Sequence, residues 1–465
     1  MLAAHDAHAL MLCECGIISR DNALAICTAV SAIREAGRDA LPYEPGVEDL
    51  FFRIESAIID RVGPDYGGNL QLARSRNDLG HALERMHFRD QILVLFDDLL
   101  MLRRAVIEQA NSHLETLMPG YTHTQPAQPV TFAHYLAGVA SFLAKDQFRL
   151  ANAYTSMNES PLGAAAFTGT GFPIDRQRVA ELLGFDAVIA STHHCIGAGD
   201  NFTDLAFALQ SLCIGLSRMT HDLLNRATLE SSAIRVHDSF VQISSIMPQK
   251  RNPVVLEHLR ARLSRAIGYA QTVALQCHSI PYGDTQDIED EIIPPLQHAV
   301  ETTSECLRLY FAFFETVALN EEHLREQAGA GFTTATELAD TLVRDTGLPF
   351  RTAHKVVATL VRSAVAQDIA SEELTVEMLH EAAQAVLDRP LDFSVEQFQQ
   401  ALDPQHFVAV RTVEGGVAPS ATGAVLDDLE RDLSASDHPW LEDAQARLTK
   451  AARGRAKAID TLGAG

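Results

Sequence analysis

The chain has 465 residues, a formal net charge of −24 at pH 7 and a sequence pI near 5.1. This length allows about three domains and a large buried core. The acidic balance argues against nucleic acid or an anionic membrane surface as the main partner. An anionic ligand would therefore need a local cluster of cations, and the candidates are Arg74, Arg76, Lys250 and Arg251.

Targeting and redox signals are sparse. The N-terminus lacks a basic region followed by an apolar core and a cleavage site, and no run of about 18 apolar residues occurs, so we expect no membrane association. The seven cysteines are odd in number and scattered, which predicts a reducing compartment, with the cytoplasm as the expected location. Cys13 and Cys15 lack a second Cys/His pair at zinc-site spacing, so no metal site is expected.

Taken in chain order, apolar residues recur at three- and four-residue spacing and predict an all-α fold. The long predicted helices span 10–36, 77–116, 132–157, 201–226, 254–277 and 294–316, and the later ones span 320–346, 349–368, 375–387 and 441–461. The stretch 205–216 is apolar on most sides, which is typical of a helix buried from several directions. We predict an N-terminal helical domain over 1–76, a central helical bundle carrying the catalytic loop over 77–317, and a small C-terminal helical domain over 318–465.

The most informative motif is the segment 244–253, S-S-I-M-P-Q-K-R-N-P. It sets two hydroxyls, a cation and a carboxamide on a loop, because Pro248 and Pro253 prevent regular helix or inner strand there. A long helix is predicted to follow, and the free N–H groups of a helix N-terminus favour anions. The segment therefore predicts an anion site with a possible base.

Two further motifs are R-S-R-N-D at 74–78 and M-P-G-Y-T-H-T-Q-P-A-Q-P at 118–129. Together with 244–253 and shorter segments at 161–163, 172–176 and 331–340, they resemble the argininosuccinate lyase branch of the fumarase/aspartase superfamily over nearly the whole chain. The resemblance implies a three-domain fold whose central long helices assemble into a homotetramer, with three chains contributing to each active site. It implies neither a cofactor nor a metal.

The reaction implied by this resemblance removes a proton adjacent to a carboxylate of an N-substituted L-aspartate, expels the amine and releases fumarate. The carbanion delocalises into the carboxylate as a dianion, so positive charge and hydrogen-bond donors must be concentrated there. Ser244 corresponds to the base, which requires an acidified hydroxyl. His123 and Glu257 correspond to a pair that manages the proton of the leaving nitrogen.

The resemblance thus assigns catalytic roles to Ser244, His123, Lys250 and Glu257. It assigns substrate binding to a larger set of donors and neighbours, in which Ser75, Asn77 and Thr122 hold the carboxylates; the full set is Ser75, Arg76, Asn77, Thr122, Gln125, Ser245, Met247, Asn252 and Tyr282.

Two segments depart from the family pattern. Residues 192–201 read T-H-H-C-I-G-A-G-D-N where the family usually has N-S-x-D-A-x-S-D-R-D, and residues 282–291 read Y-G-D-T-Q-D-I-E-D-E where it usually has Y-N-x-D-L-Q-E-D-K. Both are expected to contact the amine half of the substrate. The acidic stretch 284–291 could attract a cationic amine or be a solvated loop, and His193 and His194 could instead meet an additional carboxylate.

Three hypotheses follow. The first is a cofactor-independent carbon–nitrogen lyase acting on an adduct of the argininosuccinate type. The second is a paralogue acting on another fumarate–amine adduct, such as ethylenediamine-disuccinate. The third is a catalytically silent structural protein on the lyase scaffold.

Overall fold

The computed structural model describes residues 1–464, apart from the side chain of Glu289. Helices dominate these residues and the strands form small two-stranded ladders, so the all-α prediction is confirmed. The chain begins with four helices: α1 (Leu2–Glu14), α2 (Arg20–Ala36), α3 (Leu50–Val62) and α4 (Pro64–Gly67).

The single helix predicted over 10–36 is wrong. Gly16 has a φ of 70°, a left-handed conformation that ends α1, and the Ser19 hydroxyl accepts a hydrogen bond from Asn22 N to begin α2. Apolar periodicity continues on both sides of this break, which hid it in the sequence.

The middle of the chain forms a bundle of long helices. The helices of this part are α5 (Arg76–Ser112), α6 (Phe132–Met157), α7 (Arg176–Leu183), α8 (Thr192–Gly197), α9 (Asp200–Arg226), α10 (Val254–Gln276) and α11 (Ile293–Phe314). The long ones agree with the sequence prediction to within a few residues, whereas the short helices α7 and α8 were not predicted. The five long ones pack side by side, α5 with α6 and α11, and α9 with α6 and α10. Their buried Leu, Ile, Val, Phe and Ala side chains form the largest apolar core.

The bundle has two ends, which we call proximal and distal. Arg85 Nη2 donates to Asn201 Oδ1 (3.0 Å) and Cys277 lies against Gly199, so the proximal end holds the starts of α5 and α9 and the end of α10. Phe132 N donates to Thr116 O (3.0 Å), so the distal end holds the end of α5 and the start of α6. The start of α10 is therefore distal, because α10 ends proximally.

Short ladders close the loops. The longest is an antiparallel hairpin at the distal end, between α5 and α6, which the sequence analysis did not predict. The paired strands are β1 (Leu117–Thr122) with β2 (Gln125–Thr131), β3 (Glu159–Ser160) with β4 (Ala187–Val188), β5 (Ile234–Arg235) with β8 (Ala318–Leu319), and β6 (Gln242–Ile243) with β7 (Arg251–Asn252).

The C-terminal part begins with α12 (Glu321–Gly329). The helix predicted over 320–346 is interrupted at Gly331, whose φ is 66°. The remaining helices are α13 (Ala335–Thr346), α14 (Phe350–Ala366), α15 (Val376–Leu387), α16 (Val395–Leu402), α17 (Pro404–Ala409), α18 (Pro419–Asp432) and α19 (His438–Gly463).

Helices α13 to α16 enclose an apolar core of their own. In contrast, Leu426 of α18 and Leu441 of α19 belong to the bundle core, and Ile459 packs with the N-terminal helices. The last two helices therefore fold back along the rest of the chain. The division at residues 76 and 317 stays a prediction.

A buried histidine couples the N-terminal helices to pH. The side chain of His8 in α1 is 6% exposed, and its Nε2 donates to Leu72 O (2.9 Å). Burial, reinforced by the charge of Arg74, lowers the pKa of His8 to about 3. The unfolded chain therefore binds the extra proton first, and stability falls as pH decreases from about 6.5 towards 3.

We expect His8→Gln, whose amide can still donate to Leu72 O, to reduce this loss of stability. The thermal unfolding temperature of the variant should fall less than that of the wild type between pH 7.5 and pH 5. His380→Gln is the matched control, because His380 Nε2 also meets a backbone carbonyl (Phe393 O, 3.0 Å) but at a less buried position. An equal pH dependence in wild type and His8→Gln would contradict the assignment.

Candidate active site

The R-S-R-N-D motif forms the start of α5 at the proximal end. Ser75 caps the helix: its Oγ accepts a hydrogen bond from Asn77 N (3.3 Å), while Asp78 Oδ1 accepts one from Ser75 N (3.0 Å). This reciprocal capping box fixes the entry of the chain into α5. The Ser75 and Asn77 side chains consequently lie at a helix N-terminus, where the backbone favours an anion.

Asp78, which sequence reasoning missed as a site residue, ties a second loop to this helix start. The residue is fully buried, and its Oδ2 accepts hydrogen bonds from the backbone N–H groups of Gly163 and Ala165, both at 3.0 Å. Burial raises the pKa of Asp78, against the lowering effect of these N–H groups. Asn77 Nδ2 donates to Ala166 O (3.4 Å) from the same helix turn. The sequence could have indicated this role of Asp78, because the S-x-x-D spacing of Ser75 and Asp78 is a capping-box pattern.

The two arginines of this motif are both engaged. Arg74 is buried with its Nη1 3.1 Å from His5 Nδ1. Arg76 is exposed and pairs with Glu48 Oε1 (3.0 Å) and Asp49 Oδ2 (2.9 Å) before α3. The predicted contact of Arg76 with substrate would therefore have to replace these two carboxylates.

The T-H-x-Q motif forms the turn of the β1–β2 hairpin at the distal end. Thr122 pairs with Gln125, and the two residues between them, His123 and Thr124, have φ values of 53° and 62°. Positive φ at both central positions is the type I′ geometry of two-residue hairpins, and it is strained for residues other than glycine, asparagine and aspartate. The turn exposes Thr122, His123 and Gln125 to solvent. Such strain at an exposed turn is typical of functional positions.

The 244–253 segment is a loop held closed by the β6–β7 ladder, in which Gln242 pairs with Asn252. Ser244 Oγ accepts hydrogen bonds from the backbone N–H groups of Ile246 (3.3 Å) and Met247 (3.1 Å). Lys250 N donates to Met247 O (3.0 Å) and completes the turn. Two N–H donors aimed at one oxygen favour negative charge on that oxygen.

The charged side chains around this loop differ in whether they have an ion-pair partner. Arg251 is bound to the Asp238 carboxylate and donates to Val236 O (3.2 Å), and this ion pair lowers the pKa of Asp238. Lys250 is exposed and makes no ion pair within the described residues. Glu257 is exposed in the first turn of α10. Of the four cations predicted as candidates, Lys250 is thus the one that is exposed and has no acidic partner.

Tyr282 lies at the proximal end, after α10. Its ring stacks on His193 with centroids 5.6 Å apart and planes 6° apart, and its carbonyl accepts a hydrogen bond from His193 Nε2 (2.9 Å). Its hydroxyl is 2.7 Å from His194 Nδ1. The two segments that depart from the family pattern therefore contact each other.

One chain does not bring all the predicted residues together. Ser75, Arg76, Asn77 and Tyr282 lie at the proximal end. The remaining ones lie at the distal end, on the hairpin turn or beside the start of α10: Thr122, Gln125, His123, Ser244, Ser245, Met247, Lys250, Asn252 and Glu257. The two groups are separated by α5, whose 37 residues span about 55 Å.

Within the described residues, no helix is long and apolar enough to cross a membrane. No group of three or more His, Cys, Asp and Glu side chains in that part of the chain is arranged to hold a metal ion. All seven cysteines are free thiols.

Comparison with known proteins agrees with this architecture. A family profile described as Lyase matches residues 3–268, and one described as Argininosuccinate lyase C-terminal matches residues 332–409. Argininosuccinate lyase 1 of Shouchella clausii is 35% identical over 97% of this chain and 90% of its own length. The crystal structure of EDDS lyase in complex with formate superposes with a TM-score of 0.91 at 31% identity, covering 99% of this chain and 90% of that one.

The class II fumarase of Schistosoma mansoni shares the fold, with a TM-score of 0.71 at 17% identity over 87% of this chain and 89% of that one. The long-helix bundle and the three motif loops at its ends define a lyase of the fumarase/aspartase superfamily. Within that superfamily, the chain belongs to the argininosuccinate lyase family.

We expect Asp78→Ala to release the 161–167 loop from the start of α5. The loss of the two N–H···O bonds from Gly163 and Ala165 should lower the local free energy of opening by about 1.5–3 kcal/mol for each bond, the range for hydrogen bonds to charged groups. Hydrogen-exchange mass spectrometry should detect faster exchange in peptides covering Gly163 and Ala165. Asp21→Ala, in the exposed first turn of α2, should leave those peptides unchanged. Unaltered exchange in Asp78→Ala would show that the loop is held by other contacts.

Proposed function

We propose that this chain is a carbon–nitrogen lyase that eliminates an amine from an N-substituted L-aspartate of the argininosuccinate type and releases fumarate. The observation that carries the proposal is family membership over nearly the whole chain, together with the Ser244 loop. The relative from Shouchella clausii named for this activity matches 97% of the chain.

Ser244 is the proposed base. Its oxygen already accepts two backbone N–H groups, so a deprotonated hydroxyl would be stabilised before any substrate binds. The exposed Lys250 ammonium on the same short loop adds positive charge. An ordinary serine hydroxyl is too weak a base for this reaction, and the two N–H groups and the ammonium group together favour its deprotonated form.

Lys250 and Asn252 are the proposed cradle for the carboxylate that becomes a dianion. Asn252 is half-buried at the closed end of the loop, two residues before α10 begins. The free N–H groups of that helix start reinforce the cation. Ser245 and Met247 complete the proposed binding surface on the same loop.

The other proposed contacts come from the other motifs. Ser75, Asn77 and Thr122 are proposed to donate to the substrate carboxylates, with Arg76 and Gln125 beside them. His123 is proposed to transfer the proton of the leaving nitrogen, with Glu257 orienting its imidazole. Both His123 and Glu257 are exposed, which leaves them available to each other across a subunit boundary.

We propose that the chain assembles into a homotetramer with shared sites. Assembly would bring the candidate residues at the proximal end of one chain together with those at the distal ends of others. Apolar side chains are exposed along the long helices, where a monomer would leave them in water: Phe148 (67%), Phe207 (54%), Ile214 (47%) and Leu275 (65%). Phe207 and Ile214 are seven residues apart in α9 and share one face. Packing such faces together from several chains can set the proximal end of one chain beside the distal ends of others.

The proposed location is the cytoplasm, which the seven free thiols support. Argininosuccinate is the first substrate to test, and another fumarate–amine adduct such as ethylenediamine-disuccinate is the second. The ultraviolet absorbance of fumarate, followed with the purified protein and each adduct, distinguishes them. Release of no fumarate from any adduct would favour the catalytically silent structural protein.

We expect Ser244→Ala to lower kcat for fumarate release by about 100- to 10,000-fold, the usual contribution of a positioned general base. Ser363→Ala, at an exposed position of α14, is the control for folding and assembly. A Ser244→Ala protein that keeps most of its turnover would remove Ser244 from the mechanism.

Complementation tests the shared site. Asn77→Ala alters the proximal end and Ser244→Ala the distal end, and each alone should be nearly inactive. When the two variants are refolded together in equal amounts, chains assemble at random into tetramers. In about a quarter of the sites the chain that supplies the Asn77 loop and the chain that supplies the Ser244 loop then both carry the wild-type residue at that loop. About a quarter of the wild-type activity should therefore return. No recovery in mixed tetramers, or turnover by a purified monomer, would rule out sites built from different chains.

A further inference from the structure

The tip of the β1–β2 hairpin is weakly held by its own strands. A β-bulge lies between Gly120 and Tyr121, and two residue pairs lie beyond it: Tyr121 with Pro126, and Thr122 with Gln125. Pro126 has no N–H group, so it donates nothing to the opposite strand. The ladder beyond the bulge therefore contributes few hydrogen bonds to the conformation of the turn.

The turn at this tip costs free energy to form. His123 and Thr124 have φ values of 53° and 62°, and neither residue type adopts this left-handed region easily. Thr124 also lines an open cleft of about 550 Å³ between the hairpin and the end of α9, so close packing does not enclose the turn. Strained backbone persists only where its surroundings hold it, so contacts outside the ladder must supply the restraint.

Arg226, the last residue of α9, lines the same cleft and reaches the hairpin. Its Nη1 donates to Met118 Sδ (3.7 Å), and its guanidinium lies over the Tyr121 ring, 5.9 Å from the ring centroid. A guanidinium is attracted to the face of an aromatic ring. Met118 lies before the bulge and Tyr121 after it, so one side chain holds both parts of β1.

Arg226 is itself held in place by α6 and by its own helix. The guanidinium lies 4.9 Å from the centroid of the Tyr135 ring in α6. Burial raises the pKa of the Tyr135 phenol, so the hydroxyl keeps its proton and donates it to Asp222 Oδ2 (3.3 Å). Asp222 lies one helical turn before Arg226, and the carbonyl end of α9 favours a cation. The hairpin is thereby connected to two long helices through one guanidinium.

The other strand has an anchor of a different kind. Gln128 Nε2 donates to Thr336 Oγ1 (3.0 Å) near the start of α13. Gln128 pairs with Gly120, on the side of the bulge away from the turn. This hydrogen bond restrains the base of the hairpin, whereas Arg226 reaches its tip.

We propose that Arg226 is a positioning residue for the His123 turn, and that its contact with Tyr121 keeps the turn in the strained conformation that presents His123 to the leaving nitrogen. This inference rests on the proposed lyase function, in which His123 transfers the proton of that nitrogen. Arg226 acts through the hairpin and does not have to touch the substrate.

Hydrogen exchange tests the anchor without any substrate. Arg226→Met removes the guanidinium and keeps an unbranched apolar side chain, so amides in peptides covering 117–128 should exchange about three- to tenfold faster. Thr124→Gly should reverse this increase, because glycine adopts a φ near +60° without steric cost. Unchanged exchange in Arg226→Met, or faster exchange that Thr124→Gly does not reduce, would overturn the inference.

The same variants are compared by turnover of the assembled protein. We expect Arg226→Met to lower kcat for fumarate release about three- to tenfold in the wild-type background, but less than about twofold in the Thr124→Gly background. A residue that merely supports the fold would lose the same factor in both backgrounds, and that result would contradict the positioning role. Release of no fumarate by the wild type from any adduct would instead remove the proposed function, while hydrogen exchange would still decide whether Arg226 holds the turn.

Two further variants guard against a general loss of structure. Arg362→Met removes an exposed arginine of α14 and should change neither kcat nor exchange in 117–128. If Arg226→Met does not fold or assemble, Arg226→Lys takes its place, because an ammonium group keeps the charge but lacks the planar face. Arg226→Lys should also speed exchange, to a smaller extent, and exchange at the wild-type rate would count against the proposal.

Discussion

The close packing of α5 along its entire length is the constraint on which the candidate site depends. Its buried residues run from Asp78 to Ala110, and they pack against α6 on one side and α11 on the other. Arg103, in the middle of this run, is fully buried and paired with the Asp437 carboxylate near the start of α19. Removing Asp437 would leave the buried guanidinium of Arg103 uncompensated, which costs far more than an exposed pair is worth. The helix therefore acts as a rigid spacer that holds the two groups of candidate residues apart.

Several of the candidate residues share a simple physical setting, since they lie at or just before the start of a long helix. Ser75 and Asn77 open α5, and Asn252 and Glu257 flank the start of α10. Unpaired N–H groups make such positions favourable to negative charge. In an acidic chain this is an economical way to hold carboxylates, because the backbone supplies donors where side-chain cations such as Arg76 and Arg251 are already paired with acidic neighbours.

The long helices could be predicted from the sequence because each has an apolar stripe that continues for many turns. The breaks could not: Gly16 and Gly331 interrupt stretches whose apolar spacing does not change, and a lone glycine inside a helical pattern is often tolerated. The turn at His123 was also unpredictable, since neither of its central residues is a glycine or asparagine. Motif resemblance pointed to the individual loops of the candidate site. It could not reveal the contact between His194 and Tyr282, which are 88 positions apart, because no local pattern encodes such a distant pairing.

The return of α19 to the N-terminal helices has a consequence for biosynthesis. Arg20 donates to the carbonyls of Leu462 (2.9 Å) and Thr461 (2.7 Å), and Arg455 donates to Leu182 O (2.7 Å). Helices α1 and α2 thus acquire part of their apolar cover only when more than four hundred further residues have been made. Until then their buried face stays open to water and to other chains, so these two helices are among the last elements described here to be fully enclosed.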